Sequence, residues 1–420
     1  MTVHRTPYGA KYLSQYRDSV ALYIHIPFCT AKCRYCGFYS EPIKDHDADS
    51  VLKAIIKELG RYALGDMVRP AVPLAAMTTV ASQRGARRGK TVYIGGGSPS
   101  CLPKEQLLRL IGEIVKQCSR VEEFTIEVNP GQVDKISLRQ LRQSGVNRLS
   151  IGGQSFNQNE LKFLGRTHTV EDISRAVQMA KWAGFENISI DLIFAIPGST
   201  LESWEHSLQS AIDLGVQHIS AYSLTYEEGT PLQKAVADGK VVIIDEQTDC
   251  AMYETAIEKL EAGGFEQYEI SNFSQVGFEC RHNLAYWANR PYIGIGPGAS
   301  SYWQGTRCKN IADIKKYVAA VERGKSPVKE SERPNAIEAA CETAVLNLRR
   351  RAGIDFEEFS KHSGFDAVEL FSGPIEKYKK LGLLKIKDGR VFLAQKALPI
   401  ADSVLCDFSD CQSESKRGID

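Results

Sequence analysis

Tyr23-Ile-His-Ile-Pro-Phe-Cys29-Thr-Ala-Lys-Cys33-Arg-Tyr-Cys36-Gly-Phe38 packs three cysteines into one short stretch directly after an apolar run. Ala21–Pro27 reads as a strand, so the cysteines lie on the loop that follows it. Their spacings of four and three residues let one loop wrap three thiolates around one cubic cluster. A [4Fe–4S] cluster has four irons, and three protein ligands leave one open. S-adenosylmethionine (SAM) can chelate an open iron through its amino and carboxylate groups. An electron from the cluster then cleaves the sulfonium to a carbon radical. Structural zinc would need a fourth ligand, commonly from a second CxxC or HxxxH half-site. Cys33 and Cys36 form one such pair, and the chain has no second. His25 precedes Cys29 by four residues, but on a strand it can point away.

Outward from this loop, short apolar runs alternate with amphipathic stretches up to about residue 225. The strand-like runs are Ala21–Pro27, Thr91–Gly97, Glu123–Pro130, Arg148–Ser155, Asn187–Pro197 and His218–Thr225. Helical periodicity fills Ser50–Leu64, Lys104–Cys118, Asp134–Ser144, Thr169–Gly184 and Leu201–Gly215. Gly145, Gly184 and Gly215 stand at helix stops, and Thr169 with Asp172 makes a start signal. Parallel pairing needs crossovers, so the order predicts an α/β fold: an open, partial TIM-type (β/α)6 barrel. Chemistry in such folds sits at the carboxyl ends of the strands.

That rule selects residues. Gly96, Gly97 and Ser98 end the second strand, where glycines let a ligand approach and free N–H groups can meet the amino-acid end of SAM. A tight structural turn is the plain alternative. Glu127 ends the third strand, Gln154 the fourth, and Arg166 lies in the loop beyond. Asp191 stands among Ile190, Leu192, Ile193 and Phe194, where a carboxylate is either paired or functional. Tyr35 and Phe38 flank the cysteines and either shield the cluster or merely pack. No separate catalytic residue is assigned. Gly294-Ile-Gly296-Pro-Gly298 resembles a dinucleotide fingerprint, but Pro297 removes a needed N–H and no βαβ unit surrounds it.

The 420 residues are 43% hydrophobic and 25% charged, ordinary for a soluble protein of two or three domains. Such a chain needs no disulfide staples. A net charge of +1 gives no reason to expect nucleic acid, and Arg84, Arg87, Arg88 and Lys90 read as a solvated loop. No apolar run is long enough for a membrane span, although transient docking on a membrane is left open. Met1–Asp18 lacks the apolar stretch of a secretion signal, so the expected location is cytoplasmic. Without such a signal, a local cysteine cluster among eleven cysteines points to metal rather than disulfides. The expected domains are a barrel core over 1–245 with an insertion at 65–90, a barrel extension over 246–329, and a small α+β, winged-helix-like module over 330–405. The module's strand–turn–strand, Leu383–Ala394, turns at Asp388-Gly389. A disordered tail is expected over 406–420.

The CxxxCxxC loop after a first strand resembles the radical SAM superfamily. With Tyr23–Cys29, Gly95–Ser100, Ile126–Pro130, Gly152–Asn157, Leu164–His168 and Asp191–Gly198, the chain resembles the coproporphyrinogen oxidase-like branch over residues 20–395. In that family these positions, Tyr23 included, bind one or two SAM molecules. Two groups of the branch compete. The oxygen-independent coproporphyrinogen III oxidase oxidatively decarboxylates two propionates, but it carries a further cysteine where this chain has Phe38, and a longer N-terminal arm. The heme chaperone group lacks that cysteine and carries HNxxYW, here His282-Asn283-Leu284-Ala285-Tyr286-Trp287. The resemblance implies heme binding and transfer to acceptor proteins. An imidazole beside two aromatics can ligate and stack on heme. Equally, Tyr286 and Trp287 can pack the end of the barrel while His282 bonds the backbone. Cys280 is a second candidate ligand. A pure interaction protein with a vestigial cluster would bind neither heme nor SAM.

Overall fold

Along each short strand of the first half, apolar and polar residues alternate, and folding turns that alternation into an outside and an inside. The computed structural model describes residues 20–62, 90–118 and 121–409. The expected insertion therefore lies outside the described residues, except that Lys90 opens a strand. Strands β1 (Ala21–Ile26), β2 (Lys90–Gly96), β3 (Val121–Val128), β4 (Arg148–Gln154), β5 (Ile188–Phe194) and β6 (His218–Ser223) lie side by side in chain order, each parallel to the next. Helices α1 (Ala48–Leu59), α2 (Lys104–Gln117), α3 (Lys135–Gln143), the short α4 (Gln158–Leu164), α5 (Val170–Trp182) and α6 (Leu201–Asp213) form the crossovers. The start signal at Thr169 is a capping box with Asp172.

Ile24, Ile26, Val92, Ile94, Phe124, Ile126, Leu149, Ile151, Ile190 and Leu192 are at most 1% exposed. Burying each such side chain contributes about 1.5–3 kcal/mol. The intervening positions are Tyr23, His25, Tyr93, Thr125, Glu127, Arg148, Ser150, Ser189, Asp191, His218 and Ser220. Alternation therefore gives the barrel a polar interior, which is a site rather than a core.

Beyond β6 come α7 (Pro231–Ala237), α8 (Glu246–Ala262), the antiparallel pair β7 (Glu266–Glu269) and β8 (Asn272–Ser274), and α9 (Arg281–Trp287). The six expected parallel strands are all present, and one more joins them. A seventh parallel strand, β9 (Tyr292–Ile295), adds to the free side of β1. It comes from the glycine-rich stretch that resembles a dinucleotide fingerprint. A Cβ at Gly294 would stand 2.0 Å from the Ser300 carbonyl oxygen, and one at Gly296 2.4 Å from that of His25. Close strand packing, not a phosphate, requires those glycines. The antiparallel strands β10 (Ser300–Trp303), β11 (Thr306–Asn310) and β12 (Val328–Glu332) complete a twelve-stranded sheet. Buried Glu58 of α1 fastens this extension. It accepts hydrogen bonds from Gly296 N–H (2.9 Å), the Asn310 amide (2.8 Å) and the Tyr317 hydroxyl (2.5 Å).

The chain continues through α10 (Ile314–Glu322) and α11 (Ala336–Leu348) to a three-stranded sheet of β13 (Ile354–Asp355), β14 (Leu384–Lys387) and β15 (Arg390–Leu393), with β15 in the middle. Helices α12 (Phe356–Ser363), α13 (Ala367–Leu370) and α14 (Ser372–Lys380) sit between its first two strands. Asp388 and Gly389, at φ 51° and 71°, make the expected hairpin turn. Disorder does not begin at Cys406. Helix α15 (Ala401–Cys406) delivers Phe408, fully buried, onto Phe371 with ring centroids 5.2 Å apart.

Candidate functional site

A cavity of about 600 Å³ opens at the carboxyl ends of the parallel strands. Cys29, Cys33 and Cys36 line it, and all three are free thiols. Burial pushes the Cys29 and Cys36 thiols up, and the Arg166 guanidinium points at the Cys33 sulfur from 3.4 Å. Among the described residues no three His, Cys, Asp or Glu side chains are grouped to hold a single metal ion. A cubane takes its thiolates at separate corners, so three thiols facing one cavity fit it better than they fit a lone zinc. Tyr35 is on the same wall, while Phe38 stands 70% exposed at the rim.

The glycine turn works differently from the expectation. Its N–H groups are not free: Gly97 donates to the Ile26 carbonyl (2.8 Å), Ser98 to that of Phe28 (2.7 Å), and Gly96 to the Glu127 carboxylate (3.2 Å). A Cβ at Gly97 would meet the Phe28 carbonyl oxygen at 2.2 Å. The turn thus clamps the start of the cysteine loop against β2. A polar lattice extends the clamp, with Ser98 and Ser100 donating to Gln132, which donates to Thr30 of the cysteine loop.

Glu127 lines the cavity, and burial pushes its carboxyl up to about 7 despite the hydrogen bond from Tyr93. Asp191 is also raised by burial, though Ser150 donates to it at 3.2 Å. Gln154 lines the cavity from a left-handed backbone at φ 69°, an uncommon state for a residue with a side chain and one that clusters at functional sites. Arg166 is held by the Gly152 carbonyl at 2.9 Å, and its Nε has no partner among the described residues. Tyr23 is the exception. Its hydroxyl is 2.9 Å from His25 Nδ1, behind the wall rather than on it.

The His282–Trp287 motif is helix α9, at the opposite end of the barrel. The Arg281 and His282 N–H groups donate to Glu123, near the start of β3. His282 is 1% exposed, with Nδ1 3.0 Å from the Thr91 hydroxyl and Nε2 2.9 Å from that of Tyr286. Burial, helped by Arg148, drops its pKa to about 3. Both ring nitrogens are engaged, so neither is offered to an iron. The Arg349 guanidinium lies 5.0 Å over the Trp287 ring. Cys280 is fully buried and its thiol donates to Glu123 at 3.5 Å. Asn283 alone among these residues reaches the cavity.

Sequence reasoning missed Tyr93, Arg148, Ser150, Ser220 and Gln132, all on the cavity wall. For Arg148 a signal existed, since a charge opens the strand-like run Arg148–Ser155 just as Asp191 interrupts its own.

The radical SAM superfamily model matches residues 23–211, and the HemN C-terminal domain model matches residues 335–400. The chain is 34% identical to the heme chaperone HemW of Bacillus subtilis, over 92% of this chain and 98% of that one. It is 30% identical to HemW of Mycobacterium tuberculosis, over 91% and 93%. Among solved structures it resembles the radical SAM enzyme coproporphyrinogen III oxidase (HemN) of Escherichia coli. That likeness has a TM-score of 0.76 and 21% identity over 97% of each chain, and it speaks for the fold. No helix among the described residues is long and apolar enough to cross a membrane.

Proposed function

We propose a function from the premise that this chain belongs to the heme chaperone HemW family of radical SAM proteins: it binds heme and passes it to acceptor proteins. A [4Fe–4S] cluster on Cys29, Cys33 and Cys36, and SAM beside it, belong to the same reading. The observation that carries it is convergence. The three thiols, Gly96, Gly97, Ser98, Glu127, Gln154, Arg166 and Asp191 all face one cavity, although they come from five separate strand ends and loops.

When bound, the cluster supplies the electron that cleaves the SAM sulfonium. The chain's own groups position and shield. Glu127 accepts N–H groups from the amino end of SAM. Arg166 supplies positive charge next to the thiolate of Cys33, and Asp191 and Gln154 hold the polar remainder. The clamp of Gly97 and Ser98 on the Ile26 and Phe28 carbonyls fixes the cysteine loop, so little reorganisation is needed on loading. The protein works in the cytoplasm in this reading, and Phe38 stands where the decarboxylating group carries its further cysteine.

The test is anaerobic reconstitution with iron and sulfide, then heme titration and a coproporphyrinogen III assay on one sample. About one heme per chain with no decarboxylation is expected. Sustained formation of protoporphyrinogen IX would overturn the reading in favour of the oxidase.

A further inference from the structure

Three cations line the cavity, and two of them are accounted for. Lys32 is exposed at the rim, and Arg166 is held between the Gly152 carbonyl and the Cys33 sulfur. The third, Arg148, opens β4 and is 2% exposed. Its Nε is without a hydrogen-bond partner, and it forms no ion pair among the described residues. Burial works against its charge, but Cys280 and Glu123 at the base of the barrel help to keep it cationic. The Glu123 carboxylate is itself occupied by the Arg281 and His282 N–H groups.

Strand geometry shows what this charge faces. Arg148 and Ser150 alternate onto the same inner face of β4, about 7 Å apart along the strand. Ser150 donates to both carboxylate oxygens of Asp191 at 3.2 Å, and across the β3–β4 pair it stands opposite Glu127. Two buried acids therefore lie one step along the barrel from a buried cation. Tyr93 of β2, Tyr222 of β6 and Tyr35 of the cysteine loop also face Asp191, and burial keeps their hydroxyls protonated. His218 of β6, 2.8 Å from both the Ser189 and the Tyr268 hydroxyls, is neutral for the same reason. Burial raises the Asp191 carboxyl, while Ser220, Arg148 and the serines of β4 and β5 pull it back. Of these groups Arg148 alone brings a positive charge. Water screens little inside a closed barrel, so a guanidinium and a carboxylate interact there beyond contact distance.

We propose that Arg148 is the counter-charge of Asp191, a positioning residue that holds this carboxylate ionised to accept hydrogen bonds from bound SAM. This rests on the SAM reading above and adds what keeps the acid of that site charged inside the barrel.

The experiment follows the infrared band of the protonated carboxyl against pH in the reconstituted full chain, with Asp191→Asn to assign it. Equilibrium SAM binding is measured on the same samples from pH 5.5 to 8.5. In the wild type the Asp191 midpoint is expected below pH 7. Arg148→Met should raise it by about one pH unit or more, and Arg148→Lys should restore most of the difference. Glu127, which faces the same guanidinium, should move in the same direction. SAM affinity of Arg148→Met should then fall by up to about tenfold near pH 7, with the deficit shrinking towards pH 8.5. A wild-type Asp191 still protonated at pH 7 overturns the proposal, even if Arg148→Met does not fold. An unmoved midpoint in Arg148→Met overturns it too. So does a loss of SAM affinity that is equal at every pH, which would mean that Arg148 touches SAM itself or only fills space. In these cases the wild type still binds SAM and the SAM reading stands. A wild type that binds no SAM at any pH sinks the SAM reading, and the proposal with it.

Discussion

His282 and Thr91 are hydrogen-bonded across the base of the barrel, Nδ1 to hydroxyl at 3.0 Å, at the end opposite the three cysteines. With Tyr286 on the other nitrogen, the imidazole ties α9 to β2. Replacing it by alanine leaves two buried hydroxyls without their partner and opens a void. His282→Ala should therefore cost about 2–3 kcal/mol of stability in denaturant unfolding. Heme stoichiometry of the folded fraction should stay unchanged. Loss of heme with stability intact would instead make His282 a ligand.

Single alanine replacements of Cys29, Cys33 and Cys36 should each abolish the visible absorption of the reconstituted cluster and most of its bound iron and sulfide. Cys101 provides the control. It lies near enough to Cys29 for their charges to interact, and burial pushes its thiol up to about 12, so it stays protonated. Cys101→Ala should retain iron at the wild-type level. Iron lost from Cys101→Ala, with any of the other three neutral, would move the ligand set.

The strand ends were legible because a parallel sheet covered by helices writes its outer face as Val, Ile and Leu, and six runs fell within a few residues of their observed positions. Asp191 could be read for the same reason, as a carboxylate where the pattern wants either an outward apolar or a partner. Arg148 carries the same kind of signal, but at a strand's first position an arginine also reads as an end marker. What decides between the two is the cavity, formed with α9 more than a hundred residues later. Strand β9 was hidden because glycine is a poor strand former and its partner β1 lies in the distant N-terminal part of the chain. The role of His282 was undetermined for a related reason. Residue type announces an imidazole, while only the fold brings Thr91 and Tyr286 to its two nitrogens.

Buried histidines set the acid limit of the fold. Burial lowers His168 to about 4, His282 and His362 to about 3, and His218 well below its usual value. Unfolded, each takes a proton near 6.5. Their contribution is thus fully present above pH 6.5 and is lost as pH falls towards 3, since the unfolded chain binds protons that the folded one refuses. On unfolding between pH 6.5 and 4 these rings take up protons, while the raised carboxyl of Glu127 releases one and offsets part of the slope. The check is therefore by difference. His218→Gln, compared with the wild type in denaturant unfolding at several pH values, should flatten the fall in stability below pH 6.5. An unchanged slope would mean that this ring is charged or exposed in the folded protein.

Glu127 should govern how SAM binding responds to pH. Its free carboxyl, raised by burial to about 7, is half protonated at neutral pH. Only the ionised form accepts strongly from the amino end of SAM, so affinity should rise with pH through 7 and fall by up to about tenfold for each unit below it. The amino group of SAM also titrates near 8, so the diagnostic is a difference between proteins. Equilibrium SAM binding by the reconstituted wild type and by Glu127→Gln, measured from pH 5.5 to 8.5, should diverge as pH rises through 7. The variant should be weaker at pH 8 and nearly equal at pH 5.5, where the wild-type carboxyl is itself neutral. Parallel profiles would show that Glu127 stays ionised throughout, and equal affinity at pH 8 would remove it from the SAM site.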